Sequence, residues 1–531
     1  MLNKIFLSTL LAVGLVSCST PEPRTEVVID QKYQEPHRPQ YHFTPDSMWM
    51  NDPNGMVYYD GEYHLFYQFY PDSNVWGPMH WGHAVSEDMV HWEHLPIGLY
   101  PDSLGYIFSG SAVIDHQNTS GLGTEADPPM IAIFTHHEPV GAASGTHTFQ
   151  YQSIAYSLDK GRSWTKYEGN PVLPNPGIHD FRDPKVFWYD EGQQWVMILA
   201  AADRIRLYTS PNLLDWTFTS EFGGEKGLGG HGGVWECPDL FELPVEGSDE
   251  SRWVMLVSIN PGGPNGGSAT QYFVGDFDGE RFTLDPSIVD DVMADEEGER
   301  ALWIDFGTDN YAGVTWSNIP AEDGRRLFIG WMSNWQYATV VPTERWRSAM
   351  TVPRSLHLVS TGSGYRVESQ PVEELHDLRG EKVSFEASGA FVAYELEGID
   401  PGQVELELAL TWSEGTETVA LKLSNEAGDS LVIGYHPNEG ELFIDRRGAG
   451  LIDFNEHFAG IHTAPLQVEE NELELHLFLD VSSVEVFANG GERVMTDIFF
   501  PRERMSKAEL FSQGGGAELI EGFGWQMGQI W

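Results

Sequence analysis

Three acidic residues stand in settings suited to carboxylate chemistry: Asp52 in Trp49-Met50-Asn51-Asp52-Pro53-Asn54-Gly55, Asp183 in Phe181-Arg182-Asp183-Pro184, and Glu236 in Trp235-Glu236-Cys237-Pro238. Pro fixes φ and Gly opens positive φ, so the first run holds its Asp in one rigid conformation at a loop start. The same residues also make an ordinary Asp-Pro turn between strands. The other two motifs weigh against that reading. Phe181-Arg182-Asp183-Pro184 lies between the turn-rich stretch Pro174 to His179 and the apolar run Lys185 to Tyr189. Trp235-Glu236-Cys237-Pro238 follows the Gly-rich stretch Gly227 to Gly233 and precedes the strand-like Asp239 to Leu243. Three carboxylates therefore sit at strand edges among apolar and aromatic neighbours. Burial and neighbouring charge separate carboxyl pKa values, so one group can stay protonated while another stays ionised. Cleavage of a glycosidic bond needs that division.

The elements that must position these groups read as strands. The chain has 531 residues with 56 Gly, 31 Pro, 28 Phe, 20 Tyr and 18 Trp, a composition rich in turns and in side chains that suit pleated surfaces. A degenerate unit recurs, a polar turn cluster before an aromatic residue: Ser86 to Trp92, Ser157 to Trp164, Ser210 to Trp216 and Gly275 to Phe282. Strand pairs precede each unit, such as Met56 to Tyr59 with Tyr63 to Phe69 across Asp60-Gly61. Four short strands per unit predict propeller blades, and Leu327 to Trp331 supplies a strand for a fifth. The inner strands of successive blades converge on an axis, which would bring residues far apart in sequence into one funnel. From about Glu381 the pattern changes to alternation with acidic residues such as Glu405 and Glu407 outward, as in Val404 to Leu410 and Leu473 to Leu477, which predicts two packed sheets. The expected organisation is a propeller over 40–355, a linker over 356–380 with one short helix at Pro371 to Leu378, and a β-sandwich over 381–531.

Lys4, the apolar stretch Ile5 to Val16 and Leu15-Val16-Ser17-Cys18 read as an export signal over 1–17 ending in a bacterial lipoprotein box, with lipid on Cys18 and a Pro-rich tether over 18–39. About 12 apolar residues are too few to span a bilayer. This predicts an exported lipoprotein anchored to a membrane. The only other cysteine is Cys237, so no disulfide framework is expected. Asp plus Glu outnumber Lys plus Arg by 80 to 30, and a net charge of −50 repels nucleic acid and phosphorylated ligands while leaving neutral sugars unaffected. His80 with His83, and His136 with His137, lack a matching Cys or His cluster at zinc spacing, so no metal is expected there.

The three acidic motifs in this order, with Tyr106 to Ser111, Gln68 with Trp76, and Trp331 to Tyr337, resemble glycoside hydrolase family 32, the β-fructosidases that include invertase, inulinase and levanase. The resemblance spans nearly the whole mature chain. It implies an all-β protein, a five-bladed β-propeller followed by a C-terminal β-sandwich, with Asp52 as nucleophile, Asp183 as transition-state stabiliser and Glu236 as acid/base. It also implies Asn51, Gln68, Trp76, Phe108, Ser109 and Trp335 in the substrate pocket, where residue type alone would make a propeller Trp blade core. Arg182, beside Asp183, would bind there too and keep that Asp ionised. The implied substrate is a β-fructan, levan or inulin, with sucrose as a side substrate and no cofactor. Double displacement would place Asp52 and Glu236 about 5–5.5 Å apart. Endo attack, fructosyl transfer and a non-catalytic fructan-binding lipoprotein remain as alternatives.

Overall fold

Tight turns and short alternating strands build seven antiparallel sheets in a computed structural model that describes residues 32–295, 298–387 and 389–531. Five sheets follow one another along the chain and form the propeller. Their inner strands are Met48–Tyr59, Tyr106–Ile114, Phe181–Tyr189, Val234–Pro244 and Tyr311–Thr315, each packed against the next, with the fifth against the first. Trp346 and Arg347 pair in parallel with Met48 and Trp49, which ties the end of the ring to its beginning. The first hairpin turns at Asp60-Gly61, both at positive φ (51° and 89°), which matches the twist of its strands.

The recurring polar unit is the connection between the third and outermost strands of the first four blades. In each copy one side-chain oxygen accepts two backbone N–H groups. Asp88 takes Val90 and His91, Asn212 takes Leu214 and Asp215, and Asp278 takes Glu280 and Arg281. In the second blade Ser157 Oγ takes Asp159 and Gly161, and Asp159 Oδ1 adds Ser163. Such side-chain-closed turns are why Ser, Asp and Asn recur there.

Residues 356–371, expected to be linker, instead complete the fifth blade. Arg354–Thr361 and Gly364–Pro371 form its outer hairpin and pair with Arg326–Met332. Their alternation is weak because the hairpin is half exposed. The expected helix is a 3₁₀ turn, Glu373–Leu378. A further helix, Pro139–Ser144, went unforeseen because it is six residues long and buries none of them, so it has no apolar stripe. Its legible signals were Pro at the first turn and Gly145 in the left-handed region at the end. Among the described residues no helix is long and apolar enough to cross a membrane.

Two six-stranded sheets form the sandwich. Leu406, Leu408, Leu410, Leu421, Ile433, Leu475 and Leu477 interdigitate between them, as alternation predicts. The opposite face of one sheet carries Phe478, Phe487 and Val494 into the same apolar cluster as Trp49, Trp316 and Trp331 of the propeller. For that reason Glu405, expected to face outward, is fully buried and takes Arg379 and His476 as partners.

Candidate active site

Each inner strand breaks its register at the same height. The irregularities fall at Asp52, at Phe108-Ser109, at Asp183-Pro184, at Cys237-Pro238 and at Ala312-Gly313. A bulge adds unpaired residues, bends the strand and re-aims a side chain, and it tolerates Pro because no ladder N–H is needed there. That explains Pro184 and Pro238, while Pro53 stands directly after its bulge, opposite Tyr67. The Asn-Asp-Pro-Asn-Gly run is therefore not a turn between strands; it is the bulged part of one twelve-residue strand. Its Gly55 sits at φ 55°, and a Cβ there would come within 2.7 Å of the Trp81 ring. Asp183 and Cys237 themselves lie at positive φ, 63° and 44°, a conformation non-Gly residues rarely adopt and one that concentrates at functional sites.

The bulges aim Asp52, Asp183 and Glu236 into one cavity of about 410 Å³ at the mouth of the propeller. Asn51, Gln68, Trp76, Phe108, Ser109, Arg182 and Trp335 line it as well, so every residue expected in the pocket from the propeller motifs reaches it. Cys18 lies outside the described residues.

Asp52 is oriented from behind by tryptophans. The indoles of Trp49 and Trp331 both pack on Trp335, with centroids 5.8 and 5.0 Å apart. Trp49 donates to Asn51 Oδ1 at 2.7 Å, and Asn51 in turn donates to Asp52 Oδ1 at 2.9 Å. Ser109 donates to Asp52 Oδ2 at 2.9 Å from the neighbouring blade. Burial raises the Asp52 pKa and the Glu236 charge adds to it, against the donors Asn51 and Ser109.

Asp183 is positioned through its backbone, which donates to Thr135 at 3.0 Å; Gln152 holds that Thr by accepting its hydroxyl. Its carboxylate accepts the Cys237 N–H at 3.1 Å. Burial pushes its pKa up to about 7, even though Arg182 pulls the other way. The expectation that Arg182 keeps Asp183 ionised is corrected here. The guanidinium turns its fork to Glu236 Oε1, at 2.8 and 3.2 Å, and to Asp180, and stands 3.8 Å from Asp183.

Tyr311 and Cys237, which touch the carboxylates, went unforeseen. Tyr311, the fifth blade's contribution, donates its hydroxyl to Glu236 Oε2. It stands alone in a short strand with no acidic motif to mark it, although the five-blade pattern itself leaves one inner strand unassigned. The Cys237 thiol is free, buried and 3.6 Å from both Asp52 and Asp183, and burial drives its pKa up, which keeps it a neutral donor between two carboxylates. His137, Phe149 and His179 also line the cavity. His136 is bound to Ser153, and His83 faces His64. Among the described residues the one group spaced to hold a metal is Glu405, Glu407 and His476 on the sandwich, where Arg379 already pairs with both carboxylates.

Three carboxylates from three strands, with one guanidinium between two of them, around a sugar-sized cavity, define a glycosidase type of site. The chain belongs to the glycosyl hydrolases family 32: residues 42–371 match the family's N-terminal domain and residues 373–525 its C-terminal domain. It is a glycoside hydrolase. A levanase of Bacillus subtilis is 50% identical over 492 residues, which covers 92% of this chain and 70% of that protein. An extracellular exo-inulinase of Aspergillus niger is 40% identical over 516 residues, covering 92% and 94%. The crystal structure of exo-inulinase from Aspergillus awamori matches with a TM-score of 0.84 at 38% identity, over 94% of this chain and all of that one.

Proposed function

We propose that the protein is a retaining exo-β-fructosidase that releases terminal fructose from levan or inulin, with sucrose as a side substrate. In this reading Asp52 attacks the anomeric C2 of a terminal fructosyl unit while Glu236 protonates the departing oxygen. Glu236 then activates water to free the sugar, and configuration is retained. Asp183 grips ring hydroxyls most tightly as the ring flattens toward the oxocarbenium-like transition state. The observation that carries the proposal is the unequal dressing of the carboxylates. Asp52 accepts from small neutral donors that leave it partly exposed to the cavity, whereas Glu236 is held between Tyr311 and Arg182.

The lipoprotein box adds a place to the activity: export, with Cys18 acylated and the propeller carried outside the cytoplasm by its Pro-rich tether. The levanase and extracellular exo-inulinase likenesses support the export and the substrate class. The test is incubation of protein lacking residues 1–18 with levan, inulin and sucrose, with products resolved by size over time beside Asp52→Asn. Fructose as the small product from levan and inulin, and fructose with equimolar glucose from sucrose, all absent with Asp52→Asn, are the expected result. Oligosaccharides appearing first would replace exo-hydrolysis by endo attack or transfer, and no turnover at all would refute the hydrolase.

A further inference from the structure

The cavity has two unlike sides. On the first-blade side stand Asn51, Asp52 and Gln68. On the other, a polar chain runs outward from Glu236 through Arg182 and Asp180 to His179, whose Nδ1 meets Asp180 Oδ2 at 2.6 Å. Beside it runs a ladder of rings. Trp76 meets Phe108 at 6.1 Å between centroids, Phe108 stacks on His137 at 4.3 Å, His137 meets Phe149 at 5.2 Å, Phe149 meets His179 at 5.2 Å, and His179 meets His147 at 5.6 Å. All but His147 line the cavity; His147 is exposed beyond its rim, and no hydrogen bond occupies its ring among the described residues.

Beyond Trp76, which the first blade supplies, this wall rises from the second and third blades, from the segment 138–149 with its short helix and from the turn-rich 174–180. Burial keeps the His137 ring of this wall neutral, its pKa lowered to about 4. Rings of this kind pack against the apolar faces of sugars, while an imidazole N–H also bonds hydroxyls.

Resting on the function proposed above, we infer that the leaving part of a fructan chain exits over the second and third blades, with the fructosyl units beyond the scissile bond lying against Phe149, His179 and, outermost, His147. The acid/base must stand next to the oxygen it protonates, so the leaving group lies on the Glu236 side, and the polar chain from Glu236 leads to His179. His147 would then touch only substrates longer than sucrose, whose single leaving glucose ends nearer the carboxylates.

The experiment compares kcat/KM on sucrose with kcat/KM on inulin-type and levan-type oligosaccharides of four to six units, for the unmutated protein, His147→Ala and His147→Tyr. His147→Ala should lose about fivefold on the oligosaccharides and stay within twofold on sucrose, while His147→Tyr, which keeps a ring, should retain the oligosaccharide rate. A His147→Ala protein whose two rates fall together, or neither of whose rates falls, overturns the inference. An unmutated protein inert on every sugar would instead overturn the fructosidase reading beneath it.

Discussion

At the floor of the funnel Asp52, Asp183 and Glu236 stand with a single guanidinium, that of Arg182, which pairs with Glu236 and lies 3.8 Å from Asp183, whereas at the seam between propeller and sandwich Asp305, Asp480 and Glu485 are met by Arg354 and His42. Burial alone would raise the carboxyls of both clusters. At the seam Glu485 is nevertheless held below its ordinary value, because Arg354 and His42 touch it and the Val352 N–H donates to it at 2.7 Å. In the funnel Asp183 goes the other way, up to about 7, since burial and two nearby carboxylates outweigh one distant cation. Buried charges that hold a structure together are fully paired, and buried charges kept for chemistry are left short of partners.

Substitutions with opposite outcomes would break that contrast if it is wrong. Asp52→Asn should lower kcat by about four orders of magnitude and leave unfolding free energy unchanged or higher, measured by turnover and by urea titration of the same preparation. Arg354→Met leaves Asp305 without its cation and Glu485 with His42 alone, and should cost about 3–5 kcal/mol of stability while kcat per folded molecule stays within twofold. A loss of stability in the first protein, or of chemistry in the second, would show that the two clusters do not divide the work.

His42 sharpens the seam side. Its ring lies between Asp480 at 2.8 Å and Glu485 at 3.0 Å, and although burial opposes the charge, the two carboxylates raise its pKa to about 9. A group raised on folding gives stability that is full below its unfolded value, near pH 6.5, and is lost as pH climbs through 9. The shift amounts to about 3 kcal/mol. Unfolding free energy measured from pH 6.5 to 9.5 should therefore fall in the unmutated protein and be flatter in His42→Gln; equal slopes would mean that the imidazole is not charged.

Tyr311→Phe probes the funnel side by removing one neutral donor from Glu236. It should lower kcat about tenfold with KM nearly unchanged, as for an interaction that matters most in the transition state. A rise in KM alone would make Tyr311 a binding residue.

The sequence showed the funnel more clearly than the seam. Asp52, Asp183 and Glu236 are legible because each is bound to a local signature, Pro after the bulge and an aromatic residue before it. Gln68 and Trp335 followed only through the family resemblance, since a buried Gln or Trp carries no local mark. Tyr311 was missed for the same reason. The blade turns were legible because one side chain closes each turn within five residues. The seam was invisible: Gln40 and Tyr41 give their N–H groups to Asp480 across more than four hundred residues, and nothing local announces such a pairing. The sandwich alternation predicted Leu406 and Leu408 inside correctly, but not that Glu405 would also be buried, because periodicity tells two faces apart and is silent on what covers the second.

A last substitution tests the contrast within the funnel itself. Asp183 must ionise in the folded protein against burial and the charges of Glu236 and Asp52, and its folded pKa of about 7 exceeds the value near 3.9 of an unfolded Asp. Between those two values the folded state holds the proton more tightly, so raising the pH through that window removes stability. Asp183→Asn keeps the shape and an acceptor for the Cys237 N–H without the charge. It should be more stable than the unmutated protein at pH 8, by about 4 kcal/mol, and close to it at pH 4, where the folded carboxyl is protonated anyway. The measurement is thermal unfolding of both proteins at the two pH values. A variant less stable at pH 8 would place Asp183 among the supporting charges with Glu485, and the division between the two clusters would fail at its most buried member.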